Sequence, residues 1–513
     1  METIKTYVYY DDFGAVGDGI TDDTEAIRAA HAYANENGGV VKATSGKNYL
    51  IRDITCAIDI KTSAEWVGAD FTIDNRGYGK GDPRSCAFFR IAPDYDRIVL
   101  EGDDVRTIFP EGKIDRNNLT RVRWEYDFPA LIVPINKNTR QYSRFGGISN
   151  GGAPQQELIL VDKDGFVSDT TPLLCDYEEI TGIHIIRCDD RPITLRGGRF
   201  TTIKNDTVFT AGVGTYLERG IFSKRSNVTY LGVEHYVREN PDDGNKYPAS
   251  SGFIFLEDSN NVKLIGCTLT GHKKYFDGTY DFQCYRANDI YLYKCVQSNF
   301  YLSDGKTPSM HDNLYWGIMG SSYCKNITYD SCIMSRFDAH AGIYNGKVIN
   351  CITNGIEIIG GGDFLIENTK LVLSRNILID LRTDYGSTWN GNITIRNCEV
   401  VNYKPEATHV FAAHWANWPF GYECHMPNLL IDGLKFDTVE GEIKIYRLSA
   451  KNNGVDSIDD TIGEKTLSDG TENKNPYIAA DYITIRNSDY DYTLPNKSYF
   501  AKTKTEGVRR TED

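Results

Sequence analysis

The chain has 513 residues, 40% of them hydrophobic and 12% aromatic, which is enough apolar material for a large core and excludes global disorder. With 56 basic and 71 acidic residues the net charge is −15, which argues against the basic footprint of a general nucleic-acid binder. No apolar run approaches the roughly 20 residues that span a bilayer. None of the 12 cysteines stands in a C-x-x-C pair, so zinc-ribbon and thioredoxin patterns are excluded as well.

Met1 to Phe13 shows no basic start followed by an apolar stretch, so no leader is expected there. The expected location is extracellular or on a virion, reached by virion assembly or after loss of a leader. Residues Asp12 to Leu50 read DFGAVGDGITDDTEAIRAAHAYANENGGVVKATSGKNYL. A Gly/Asp turn region comes first. Asp22 then stands three residues before Glu25, the spacing of a capping box with Asp as the cap. Ala26, Ile27, Ala30 and Ala34 recur as on one helix face, and Asn37-Gly38-Gly39 stops the helix. Short strands are expected at Val40-Val41 and Tyr49-Leu50-Ile51. This segment closely resembles the N-terminal motif of the pectate-lyase-like superfamily, D-F-G-A-x-G-D-G-x-x-D-D-T-x-A-I. The resemblance implies an all-β fold, a right-handed parallel β-helix with an N-terminal capping α-helix. Ala43-Thr44-Ser45-Gly46 replaces the Pro-x-Gly turn frequent in that superfamily.

A repeat supports a solenoid independently. Short apolar strands with a Cys or small residue five positions after a register mark return along the chain. The marks are Ile183, Val228, Val262, Ile290, Ile327, Gly346, Phe364, Ile393, Leu429 and Ile483. The steps from Ile327 to Gly346 and on to Phe364 are about the twenty residues of a bare coil. Longer steps mean loops inserted at corners. Cys188, Cys267, Cys295, Cys332, Cys351 and Cys398 fall five after a mark and read as a buried interior ladder. Asparagines beside the marks read as a second ladder at a turn. Three segments follow: cap and first coil in 1–50, β-helix in 51–440 (less regular to about 180), and an irregular 441–513 with one last strand at Tyr482 to Asn487.

Several catalytic motifs fail. Gly147 to Gly151 matches G-x-S-x-G, but a strand-like stretch follows where a nucleophile elbow needs a helix. Gly305-Lys306-Thr307 lacks the upstream glycine of a phosphate loop.

The register points instead to one outward cluster. Stacking the coil of Gly346 on that of Ile327 lays Phe337 over Ile356 and Asp338 over Glu357. Alternation turns Asp338, His340 and Glu357 outward. Two carboxylates about 4.8 Å apart in backbone give an acid and a base from one residue type, and favour the shorter carboxyl spacing of glycosidases. The short coils leave this cluster uncovered. Asp312, Trp316 and Arg336 precede or adjoin it, and Arg382, Asp384, Tyr385 and Trp389 follow, so these are the candidate sugar-binding residues.

Ser335 to His340, SRFDAH, is similar to the Y-G-F-D-P-H motif of mannuronan C5-epimerases. Only Phe337, Asp338 and His340 match, and Ser335 replaces the tyrosine that is central to proton transfer there. The cap motif so near residue 1 resembles bacteriophage tail-spike and appendage depolymerases, which are often trimers. The leading expectation is therefore a glycoside hydrolase that degrades a complex bacterial or plant polysaccharide in a lateral groove. Asp338 and Glu357 share acid and base or nucleophile roles, and His340 tunes them. The alternatives are a polysaccharide lyase or uronate epimerase, and a non-catalytic glycan-binding phage adhesin. No cofactor is required. Ca²⁺ enters only through the lyase resemblance, since acidic pairs such as Asp103-Asp104 lack EF-hand spacing. The expected partner is a polysaccharide, with neither nucleic acid nor membrane insertion, and a homotrimer is the assembly that the tail-spike resemblance implies.

Overall fold

The structure is a computed structural model. It describes residues 6–77, 86–147, 151–203, 219–238, 251–270, 280–298, 300, 318–373, 375–439, 441–450, 459–488, 493–495 and 509–511. Most strands join a 29-stranded sheet whose ladders are parallel, the topology of a right-handed parallel β-helix. The chain divides into two compact units: residues 1–96, 188–320 and 331–335, and residues 97–187, 321–330 and 336–513.

In the first unit a helix spans Thr24–Asn37. The cap residue is Asp23, one position later than the capping-box spacing places it. Asp22 instead accepts hydrogen bonds from Thr24 N–H and its hydroxyl. The Asp23 carboxylate ties down the Gly-rich turn through Val16 and Gly17 N–H. Buried Ile27, Ala30, His31 and Ala34 form the packed face, and the buried Tyr10 hydroxyl meets both His31 Nε2 and Trp66 Nε1 at 2.8 Å. The expected short strands occur at Val40–Lys42 and Asn48–Ile51.

The register marks pair as read from the sequence. Val228 lies on Val262, and Val262 on Ile290. Cys267, Cys295 and Cys332 are buried thiols in no disulfide among the described residues, and Cys295 N–H faces Cys332 Sγ at 3.4 Å. Asn261 donates to Asn227 Oδ1 at 2.6 Å. Both asparagines hold positive φ, which their short amides tolerate.

One mark is corrected. Gly182–Arg187 alternates like a coil strand, yet it pairs antiparallel with Ile98–Glu101 and Ala130–Gln141. It belongs to a five-stranded sheet within residues 97–187. That sheet has its own core around Ile114, Ile132, Ile159 and Ile183. Cys188 is buried but follows this antiparallel strand, so it lies outside the ladder. The true coil strand is Ile193–Ile203, which pairs parallel with Ala64–Asp74. The strand Phe89–Ile91 still pairs parallel within the solenoid, so its register passes from residue 91 to residue 193. The β-helix expected over 51–440 is interrupted by a folded insertion.

In the second unit Ile327, Gly346, Phe364, Ile393, Leu429 and Ile483 stack in that order. Gly346 is glycine because the Phe364 ring lies against it. A Cβ there would meet that ring closer than the 3.0 Å that real Cβ atoms keep. Gly346→Ala is therefore expected to cost about 1–3 kcal/mol by overpacking, measured by chemical denaturation; an unchanged midpoint would refute this packing. The segment 441–513, expected to be irregular, is anchored within residues 459–488. Asn473 and Asn475 are buried, and Asn475 O accepts the Trp415 indole N–H at 3.0 Å.

Candidate functional site

In the second unit a column of strands presents the predicted carboxylates. Phe337–Ala341, Ile356–Ile358 and Ile377–Leu381 are successive rungs. Phe337 pairs with Ile356 and Asp338 with Glu357. The next rung sets Ile379 under Ile356 and Asp380 under Glu357. Apolar residues turn inward at Phe337, Ile356 and Ile379, so the column holds three carboxylates, Asp338, Glu357 and Asp380.

Three arginines clamp it. Arg336 lies 2.8 Å from Asp338 and 2.9 Å from Glu357. Arg382 Nη1 lies 3.5 Å from Asp338 and 3.3 Å from Glu357. Arg375 Nη1 lies 3.0 Å from Glu357 and 3.7 Å from Asp380. One nitrogen thus touches both lower carboxylates, so their nearest oxygens are no farther apart than those two contacts laid end to end.

The acidities of Glu357 and Asp380 are displaced in opposite directions. Burial pushes the Glu357 carboxyl up, but the guanidiniums of Arg336, Arg382 and Arg375 outweigh it and hold the pKa at about 2. Asp380 goes the other way. Burial, and then the Glu357 charge, raise it to about 7. Its Oδ1 is buried with no hydrogen-bond partner among the described residues, which disfavours charge on the carboxyl. His340 is held down at about 4 by burial and by Arg382. Its Nε2 contacts Arg144 Nη2 at 2.7 Å. A guanidinium only donates, so this nitrogen accepts and the ring is neutral at pH 7.

The expected uncovered groove is corrected on several counts. Asp338 has 0% side-chain exposure, so it can hold arginines but cannot touch a substrate. Arg336, Arg382 and Tyr385 are largely buried; they are framework, with the Tyr385 hydroxyl accepting from Arg144 Nε at 3.0 Å. Trp389 is fully buried, its indole N–H bonded to Gly362 O, because that position faces the interior against Phe364. No sugar can stack on it. Asp384 stays partly exposed, paired with Arg382 at 3.0 Å and Arg144 at 3.3 Å. Asp312 and Trp316 lie outside the described residues. The cover that was not foreseen is Arg144, which reaches His340 from the insertion.

Two functional residues were missed. Asp380 had a signal: Ile377 to Leu381 alternates as Phe337 to Ala341 does, two rungs on. Arg375, 43% exposed at the edge of the column, had none, because it stands in the turn before its strand. Glu357 and Asp380 keep 12% and 15% of their side chains exposed, and they are the accessible part of the column. Buried acid with ionised neighbour is an arrangement that proton-transfer chemistry uses.

No protein-family model and no curated protein sequence matches the chain. Among solved structures it is similar to the Gp54 tailspike of Acinetobacter baumannii bacteriophage AP22, in complex with A. baumannii capsular saccharide. The TM-score is 0.52 at 11% identity, covering 95% of this chain and 77% of that one. It is also similar to the tailspike protein gp49 from Pseudomonas phage LKA1, with TM-score 0.51 at 12% identity, covering 95% and 82%. At such identities the likeness shows the fold, a right-handed parallel β-helix.

Proposed function

We propose that the protein is a polysaccharide-cleaving enzyme of the glycoside hydrolase type, with Asp380 as proton donor and Glu357 as the ionised carboxylate. The observation that supports this reading is the pairing in register of Glu357, held ionised by the guanidiniums of Arg336, Arg382 and Arg375, with Asp380, whose carboxyl is raised by burial and by the Glu357 charge. Asp380 gives its proton to the glycosidic oxygen as the bond to the anomeric carbon breaks. Glu357 faces the positive charge that develops on that carbon, and water, losing a proton to the Asp380 carboxylate just formed, finally adds to that carbon and restores the acid. A carboxylate with a pKa near 2 is a poor base toward water, so direct attack or electrostatic stabilisation suits it better than activation of water. The reach through Arg375, 3.0 Å to Glu357 and 3.7 Å to Asp380, admits the roughly 5–5.5 Å carboxyl spacing of retaining enzymes, and the anomer released by the cleavage tests it. Asp338 positions Arg336 and Arg382.

The test is incubation with purified bacterial capsular polysaccharides, because one similar tailspike is in complex with a capsular saccharide; teichoic acids and plant pectins complete the panel. New reducing ends support hydrolysis. Unsaturated uronate absorbance identifies a lyase, binding without products an adhesin, and either result rejects the proposal. Every carboxylate of the column already faces a guanidinium. Chelation with EDTA is therefore expected to leave turnover unchanged. A loss restored by Ca²⁺ would overturn the metal-free mechanism.

A further inference from the structure

A second cavity in the same unit is unused by this mechanism. It has a volume of about 330 Å³ and opens between the insertion, the Gly360 to Asn390 coil region and the 421–425 loop. Its wall is preformed. Gly421 holds φ 87° against the strand Ala130–Gln141, and a Cβ there would collide with Arg140 O. Gln141 Nε2 donates to Gly421 O at 3.2 Å, fixing the loop.

We propose that this cavity binds a single neutral sugar residue. Its lining combines aromatic and polar side chains. The rings of Tyr142 and Tyr422 line it, 4.9 Å apart and tilted by 43°, and aromatic rings suit the C–H side of a pyranose. Gln155 is buried and held by its Nε2 on Asp176 O at 2.8 Å. Asn390 is half-buried on the lining, and its amide both donates and accepts, as ring hydroxyls require. At the mouth stand exposed Asp176, Glu178 and Glu423. The facing guanidinium is that of Arg116, 3.7 Å from Glu423.

Three carboxylates against one arginine repel a uronate, a phosphate or a nucleotide. The polar lining disfavours a purely apolar ligand. The volume lies at the low end of small-molecule sites, about 300–1,000 Å³, which fits one ring rather than a long oligosaccharide. None of the three carboxylates of the column lines this cavity. Its occupancy does not depend on the column being catalytic.

The experiment is saturation-transfer NMR and calorimetric titration of the whole chain with methyl glycosides of glucose, galactose, mannose and rhamnose, and with galacturonate. Saturable binding of at least one neutral glycoside, stronger than galacturonate, is expected. Asn390→Ala should weaken it by roughly three- to tenfold, the loss of one net hydrogen bond. Asn390→Trp should fill the cavity and abolish binding. Asp380→Asn should leave binding intact while removing turnover. If Asn390→Trp melts well below the wild type, Asn390→Ala alone decides. The proposal is overturned if no neutral glycoside binds, if galacturonate binds as well or better, or if binding survives unchanged in Asn390→Ala.

Discussion

Asp380→Asn is expected to lower turnover on a cleavable polysaccharide by roughly 10²- to 10⁴-fold, the range for losing a positioned general acid, while the protein stays folded. The amide is close in size to a carboxyl that is already neutral for much of the pH range, since its pKa lies at about 7. The wild-type rate should fall as pH rises through about 7, where Asp380 loses its proton, and that limb should vanish from the residual activity of the variant. Stability separates a chemical role from a structural one. The Asp380 pKa is raised from 3.8, so its stabilising contribution is complete below that value and is lost as pH rises through about 7. The variant has no such loss. Its melting temperature relative to wild type should therefore be higher at pH 8 than at pH 5. Glu357 has the opposite sign. Its pKa is lowered from 4.5 to about 2, so its contribution is present above 4.5 and disappears as pH falls toward 2. Turnover unaffected by Asp380→Asn, or lost together with the fold at every pH, would sink the assignment.

Much of this site was legible because a solenoid turns register into distance. Once Ile327, Gly346 and Phe364 are aligned, alternation alone sets Asp338 beside Glu357, and the structure pairs them so. The same arithmetic fails where topology changes. Gly182–Arg187 has the apolar alternation and the following cysteine of a coil, but alternation is identical in parallel and antiparallel strands. Only its partners at Leu100 and Pro134 show that it belongs to the insertion. Outward was also not the same as exposed. Asp338 points away from the core yet lies beneath Arg336 and Arg382, because long guanidinium side chains, one from just before its own strand and one from two rungs on, fold over a short carboxylate. Trp389 read as a loop aromatic, but it starts the strand Trp389–Asn402 with its ring inward. Arg144 approaches from nearly two hundred residues away in sequence, a contact that no local pattern encodes.

Arg382→Ala is expected to cost about 3–5 kcal/mol of stability at pH 7, the usual penalty for removing one partner of a buried ion pair. The side chain reaches Asp338, Glu357 and Asp384, and the first two are adjacent in register. Without it, Arg336 alone bridges two buried negative charges. Glu357 should then rise from about 2, because Arg382 is among the charges that hold it down. Its share of stability should consequently disappear over a narrower pH window, starting from the same 4.5. Removing the surplus charge is the control. Asp338→Asn alone should destabilise, since it deprives two buried arginines of a counter-charge, but in the Arg382→Ala background it should restore part of the loss. A double-mutant cycle by urea denaturation would measure the coupling, expected at about 0.5–3 kcal/mol for residues sharing one network. Additive penalties would mean that Asp338 and Arg382 do not depend on each other, and that the column is held by packing rather than by its charges.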